Sequence, residues 1–223
     1  MSDLLTVTRF GFVNCHLVVE PDGLTLVDTM LPRSAGQILA AARRAGGEIT
    51  RIVLTHAHGD HIGSLDALHA ALPQAEVIIS ARDARLLRGD RSLDPGEPGT
   101  GVGRGSFPGA RTEPTRTVLA GERIGSLEVF AAPGHTPGQI ALLDTRDRTL
   151  ICGDAFSTLG GVATSARGSW HFPFPAYASW HRPTALESAR ALLALEPSRL
   201  APGHGRVLEA PAAAMAAAIA RGA

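Results

Sequence analysis

Cysteine is almost missing from this chain. Cys15 and Cys152 are the only two in 223 residues, and each sits inside an apolar stretch. That excludes a disulfide-stapled scaffold and makes the pair buried thiols rather than a redox couple or nucleophiles. An excess of charge of either sign is missing too. Lys plus Arg equal Asp plus Glu at 21 each, so no net field draws in phosphates or an anionic membrane, and nucleic acid is not an expected partner. No apolar run approaches the roughly 20 residues of a membrane-spanning helix, and the opening Met1-Ser2-Asp3-Leu4-Leu5-Thr6 lacks the basic segment and apolar run of a secretory signal. The expectation is a cytoplasmic protein without a membrane partner. No repeat at solenoid spacing is present. Aromatic residues are few as well, with seven Phe, two Trp and one Tyr.

What the chain does have is Thr55-His56-Ala57-His58-Gly59-Asp60-His61-Ile62-Gly63, directly after the apolar run Ile52-Val53-Leu54. In an extended segment alternate side chains point the same way, so His56 and His58 offer two imidazoles to one ion. Past the turn at Gly59, Asp60 and His61 project elsewhere and suit a second divalent metal. The length fits one domain over 1–223 with a sizeable core.

Strand signals open the chain at 4–7, 12–19 and 24–27, with a turn at Glu20-Pro21-Asp22-Gly23. His16 reads as a core or sheet-face residue. Asp28 ends the third strand, either as an acceptor holding a ligand histidine in one tautomer or as a turn former. A helix over 34–45 stops at Gly46-Gly47, a strand over 49–54 delivers the histidines, a helix through Leu65, Leu68, His69 and Leu72 follows, and Val77-Ile78-Ile79 is again a strand. This alternation predicts layered α/β architecture. Residues 88–117 show no sustained apolar period and read as a long loop, a lid or binding flap in preference to local disorder.

Strands resume at 117–119 and 127–131, the latter leading into Pro133-Gly134-His135-Thr136-Pro137-Gly138. A hairpin of 140–143 and 149–152 ends in Gly153-Asp154, where a carboxylate can bridge two ions. A helix over 184–195, a strand over 199–201, Pro202-Gly203-His204-Gly205 and an alanine-rich helix over 211–219 close the chain. The aromatic-rich loop at 156–183 holds Phe156, Trp170, Phe172, Phe174, Tyr177 and Trp180, six of the ten aromatics. They wall an apolar pocket or form a subunit contact, and both hold in a homodimer. His171 and His181 read as rim or structural residues.

The ordered set His56, His58, Asp60, His61, His135, Asp154 and His204, preceded by Asp28, resembles the metallo-β-lactamase superfamily over residues 11–205. The resemblance implies a four-layer αββα sandwich with metals at one edge. It implies His56, His58 and His135 at the first metal, Asp60, His61 and His204 at the second, Asp154 bridging and Asp28 in support. Two ions about 3.5–4 Å apart acidify a bridging water and polarise a substrate carbonyl, so no side-chain nucleophile is needed. Asp60 and Asp154 then carry catalysis, and Tyr177 either places its hydroxyl on the substrate, as a tyrosine does in the lactonases, or packs at the surface.

Asp154 stands where the cysteine-ligand β-lactamases have Cys, which makes the chain more similar to glyoxalase II and the acyl-homoserine lactonases. Glyoxalase II commonly carries another histidine where Ala57 stands and a helical C-terminal region, whereas nineteen residues follow His204 here. RNA-processing relatives carry an inserted domain that this length does not suggest. The expected activity is dinuclear zinc hydrolysis, with two Zn2+, of a small ester, lactone or thioester. The alternative is a mononuclear iron persulfide dioxygenase using one Fe2+ at the first site, and β-lactam hydrolysis ranks below both.

Overall fold

The computed structural model describes residues 4–222. Its middle is two six-stranded sheets. The first contains β1 (Leu4–Arg9), β2 (Val13–Glu20), β3 (Gly23–Val27), β4 (Ile49–Val53), β5 (Glu76–Ser80) and β6 (Arg116–Val118), side by side in chain order. The second contains β7 (Arg123–Ile124), β8 (Leu127–Ala131), β9 (Ile140–Asp144), β10 (Thr149–Gly153), β13 (Arg199–Pro202) and β14 (Leu208–Glu209), while β11 (Phe156–Ser157) and β12 (Ala163–Thr164) form a separate small ribbon. β3, β4, β5 and β6 pair in parallel, as do β10 and β13. The helices are α1 (Ala35–Arg44), α2 (Gly59–Ile62), α3 (Leu65–Ala71), α4 (Ala81–Leu87), α5 (Phe174–Ala178), α6 (Arg182–Leu193) and α7 (Ala212–Gly222).

The two-residue period of the strands sorts their side chains into layers. Val18, Val27, Val53 and Ile78 of the first sheet meet Val129, Leu142, Ile151 and Ala201 of the second in a shared inner core. Their neighbours Leu17, Leu26, Ile52 and Val77 point the other way, onto Ile38 and Ala41 of α1 and Leu65 and Leu68 of α3. On the far side Leu143, Leu150 and Leu200 pack against Ala189 and Leu192 of α6 and Met215 and Ile219 of α7. These three cores make an αββα sandwich. Because both faces of the central strands are covered, their sequences read as nearly continuous apolar runs. Among the described residues no helix is long and apolar enough to cross a membrane.

Several elements differ from the sequence reading. α4 was not anticipated: it has only seven residues, and its buried face sets Asp83 beside Ala84, Leu86 and Leu87. Tertiary packing supplies what its length lacks. The stretch 156–183 is not a plain loop, since it contains β11, β12, α5 and the start of α6. The two-residue strands there leave no periodic trace in the sequence. The long connection runs from 88 to 115 without helix or strand, and it is fastened to the body. Glu97 pairs with Arg82 at 2.7 Å, Asp66 accepts from Thr112 N at 2.8 Å, and Trp180 Nε1 donates to Thr100 O at 2.6 Å.

His16 is a buried sheet-face residue. Its Nδ1 lies 3.1 Å from Thr6 Oγ1 and its Nε2 3.2 Å from Pro202 O. The Pro202 carbonyl can only accept, so Nε2 carries a proton, and the Thr6 hydroxyl can donate to an unprotonated Nδ1, which suits a neutral imidazole. Burial accordingly pushes its pKa down from 6.5 to about 4, against the smaller opposing pull of the Pro202 carbonyl and Asp28. A folded value below the unfolded one means that stability is fully present above pH 6.5 and is lost as pH falls toward 4, by at most about 3 kcal/mol. Urea unfolding of the wild type from pH 7 to pH 4.5 is expected to show this loss, and His16→Gln is expected to flatten it. An identical pH slope in the two proteins counts against the assignment.

Candidate metal centre

Parallel strands deliver the polar residues to one edge. β3 ends before Asp28, β4 leads toward Thr55-His56, β10 ends before Asp154, and β13 ends shortly before His204. Their carboxyl ends open on the same side, where loops of an α/β sheet gather functional groups. His135 comes from the loop after β8, and α2 carries Asp60 and His61. Cross-sheet bonds close this edge: Ile140 N donates to Thr55 O at 2.9 Å, Asn14 N to Gly203 O at 2.9 Å, and Asn14 Nδ2 to Gly205 O at 2.6 Å.

The seven expected residues converge. His56, His58 and His135 form one group of candidate ligand atoms, Asp60, His61 and His204 a second, and Asp154 joins His56 and His61 in a third, with the atoms of each group within 4.8 Å of one another. Asp154 stands between the two subsites: its Oδ1 is 3.3 Å from His61 Nε2, and its Oδ2 is 3.4 Å from His135 Nε2 and 3.2 Å from His204 Nε2. Asp60 Oδ2 lies 3.2 Å from His204 Nε2.

The other ring nitrogens show which way each imidazole is aimed. His61 Nδ1 lies 2.8 Å from Asp28 Oδ2, and His56 Nδ1 lies 3.0 Å from Thr55 Oγ1, whose own proton goes to Asp28. His135 Nδ1 lies 3.0 Å from Ser179 Oγ, which donates to Ser165 O, and His204 Nδ1 lies 3.2 Å from Phe12 O. In each case the partner accepts, so Nδ1 carries a proton and Nε2 faces the centre. His58 is reversed, with Nδ1 2.9 Å from His135 Nε2. Asp28 adopts φ +64°, unusual for a residue with a side chain, and its two oxygens take Thr55 N, Thr55 Oγ1 and His61 Nδ1.

The donor set fits divalent metal. His56 Nε2, His61 Nε2 and Asp154 Oδ1 are buried without a hydrogen-bond partner, and the 3.3 Å approach of the last two lacks hydrogen-bond alignment. Unpaired buried polar atoms are costly and rare, and a cation would satisfy all three at once. The subsites differ electrically. Burial pushes the imidazoles of His56, His58 and His135 down, His58 to about 3, so the first triad offers neutral lone pairs. Burial opposes protonation of His61 and His204 as well, but the carboxylates of Asp154 and Asp60 outweigh it and hold His204 up at about 9 and His61 well above its ordinary value. His61 and His204 in turn hold Asp60 and Asp154 low against the desolvation that would raise them. Burial pushes both thiols up, Cys152 to about 12.

A cavity of about 670 Å³ lies over the centre, with His58, Asp60, His135, Asp154 and His204 at its base. Phe12, Pro108, Leu159, Phe172 and Phe174 wall it, and Ser106 is the lining hydroxyl. The aromatic stretch therefore divides: Phe172 and Phe174 line the cavity, Phe156 and Trp180 are buried, and Trp170 is 94 % exposed. Tyr177 takes the surface alternative. It is 73 % exposed and absent from the lining, because Phe174, Pro175 and Ala178 occupy the cavity face of α5 and Tyr177 turns off it. His171 is exposed, and His181 caps α6 through Thr184. Ser179 and Phe12 were missed. Each holds an imidazole far away in sequence, and only Thr55, adjoining the motif, left a local signal.

The family model described as metallo-beta-lactamase superfamily matches residues 8–204. An uncharacterized protein of Bacillus subtilis, YobT, is 48% identical over 93% of this chain and 89% of its own length. A hydroxyacylglutathione hydrolase of Rhodospirillum rubrum is 35% identical over 58% of this chain and 42% of its own length. The solved structure of TTHA1623 in a di-iron-bound form superimposes with a TM-score of 0.66 at 25% identity, over 93% of this chain and 94% of that one.

Close approach at Gly203 gives a test of the second triad. A Cβ there would sit 2.5 Å from both Asp154 Oδ1 and His61 Cε1. His61 cannot yield, since Asp28 holds its far side. Gly203→Ala is expected to weaken divalent-metal binding roughly tenfold or more, read by chelator competition. Unchanged affinity would mean that the centre tolerates the added methyl and that this approach is not what limits it.

Proposed function

The chain belongs to the metallo-beta-lactamase superfamily and is a metal-dependent hydrolase, and on that premise we propose that it is a dinuclear zinc enzyme that hydrolyses a small neutral ester, lactone or thioester with an apolar acyl group. The observation that carries this reading is the pairing of two triads, joined by Asp154, with an apolar cavity directly above them. When bound, the two ions supply an acidified water and a Lewis acid for the substrate carbonyl.

The chain's own residues do the rest. Thr55, Asp28, Ser179 and the Phe12 carbonyl hold four imidazoles by Nδ1 with Nε2 toward the centre, which orients the donor atoms before any ion arrives. Asp154 links the subsites through its two oxygens, and the walls of Phe12, Leu159, Phe172 and Phe174 exclude water and take an acyl chain. Among the described residues no arginine lines the cavity, and the sequence contains no lysine. A glutathione thioester carries two carboxylates, and beyond the ions themselves the lining offers no arginine or lysine to pair with them. Substrate choice is thereby separated from that of the hydroxyacylglutathione hydrolases, one of which this chain matches over 42% of its length.

The test is metal content followed by a substrate panel. Protein grown with both zinc and iron is expected to hold about two zinc per chain. It should turn over neutral alkyl lactones, esters and acyl thioesters at least ~10-fold faster, as kcat/KM, than a glutathione thioester. Asp60→Ala and Asp154→Ala are expected to lower kcat/KM on the order of 10³-fold. About one iron per chain, with little zinc and oxygen uptake on a persulfide, overturns the reading in favour of a mononuclear dioxygenase.

A further inference from the structure

Asp83 lies on α4, outside both triads and outside the cavity lining, yet its side chain is fully buried. It follows Ser80, whose hydroxyl caps α4 by accepting from Asp83 N. An acid at this helix position ordinarily reaches back to the N–H of the cap residue. Here it does not. Asp83 Oδ2 accepts from Ala57 N at 3.0 Å and from Thr136 Oγ1 at 2.8 Å, and Oδ1 accepts from Gly138 N at 2.8 Å. Ser80 Oγ adds a bond to Gly138 O at 2.6 Å. Gly138 must be glycine, since a Cβ there would stand 2.6 Å from Asp83 Oδ1.

The partners identify the role. Ala57 is the residue between His56 and His58, and Thr136 is the residue after His135. One carboxylate oxygen therefore ties together the two loops that carry all three nitrogen donors of the first triad. Those loops come from different sheets and must meet closely enough to bring His58 Nδ1 within 2.9 Å of His135 Nε2. A buried carboxylate is retained only where donors compensate its lost hydration.

We propose that Asp83 is a positioning residue for the first metal subsite, clamping the Ala57 and Thr136 loops so that His56, His58 and His135 converge on one ion. This rests on the two-metal reading only in requiring that the first triad binds metal. Asp83 touches neither the substrate cavity nor the second triad.

The test reads cobalt binding to metal-free protein by visible absorption and chelator competition. In an Asp60→Ala background, where the second triad is broken, adding Asp83→Asn is expected to weaken cobalt binding by about 10- to 100-fold and to alter the ligand-field bands. In a His58→Ala background, where the first triad is broken, the same Asp83→Asn is expected to change affinity by less than about 3-fold. Thr136→Val should reproduce part of the first-subsite loss and Thr136→Ser should not, and this pair decides the matter if Asp83→Asn fails to fold. Equal loss at both subsites, or no loss at the first, overturns the proposal and leaves the hydrolase reading standing. A wild-type protein that takes up no cobalt overturns both.

Discussion

The metal edge depends on a carboxylate that binds no substrate and sits at the base of the site. Asp28 accepts from Thr55 N, Thr55 Oγ1 and His61 Nδ1, and in doing so it fixes one histidine of each triad, His61 directly and His56 through the threonine hydroxyl. It does this from a left-handed backbone, φ +64°, a conformation that costs on the order of 1 kcal/mol or more outside glycine. Such strain persists where surrounding bonds over-determine it. Asp28 N donates to Val53 O and Thr29 N to His61 O, so the turn after β3 is stitched to β4 and to α2 at once. If the Asp28 side chain turned away, His61 would be free to rotate and the shared edge with Asp154 would open.

Asp83 stands in the same relation to the other side of the centre. Asp28 joins elements within the first sheet, while Asp83 joins the loop after β4 to the loop before β9, so the two carboxylates together fix the histidine motif from below and from the side. Both take protons from backbone amides and hydroxyls rather than from arginine. That choice follows from geometry: amides and hydroxyls are already in place at strand ends, and a guanidinium would need volume that the three apolar cores occupy. The site is thus assembled by ordinary backbone hydrogen bonding at the carboxyl ends of parallel strands, with acids as the connectors.

Much of this was legible in the sequence. The seven ligand candidates lie in short Gly- and Pro-rich turns after apolar runs, and a turn after a strand is a local pattern that periodicity reveals. The sandwich followed from resemblance, since alternation alone indicates only layered α/β structure. What stayed hidden depends on contacts between distant residues. Ser179 and His135 are 44 positions apart, and Phe12 and His204 are 192 apart. Nothing local marks Ser179 as the acceptor for an imidazole. α4 was hidden for another reason, because Ser80-Ala81-Arg82-Asp83 looks like a weak two-turn helix until its packing is known. Tyr177 was left open between pocket and surface. Its position in an aromatic stretch suggested the pocket, but the helical turn of α5 gave that face to Phe174, Pro175 and Ala178.

The electrical asymmetry of the two triads has a structural consequence. In the first, three buried imidazoles are held neutral by desolvation, so a cation there displaces no charge-neutralising proton and only the contact of His58 Nδ1 with His135 Nε2 is given up. In the second, His61 and His204 are held charged by Asp60 and Asp154, so a cation there must displace protons that already neutralise the carboxylates. Opposite charges draw the second subsite together, yet each subsite keeps a buried imidazole nitrogen without a hydrogen-bond partner, His56 Nε2 in the first and His61 Nε2 in the second. Folding free energy is lost at those orphaned nitrogens and would be recovered by metal, because an ion that binds the folded state alone stabilises it by mass action. Both triads are therefore braced from outside. Asp83 and Ser179 hold the loops of the first, while Asp28 and the Phe12 carbonyl hold His61 and His204 of the second.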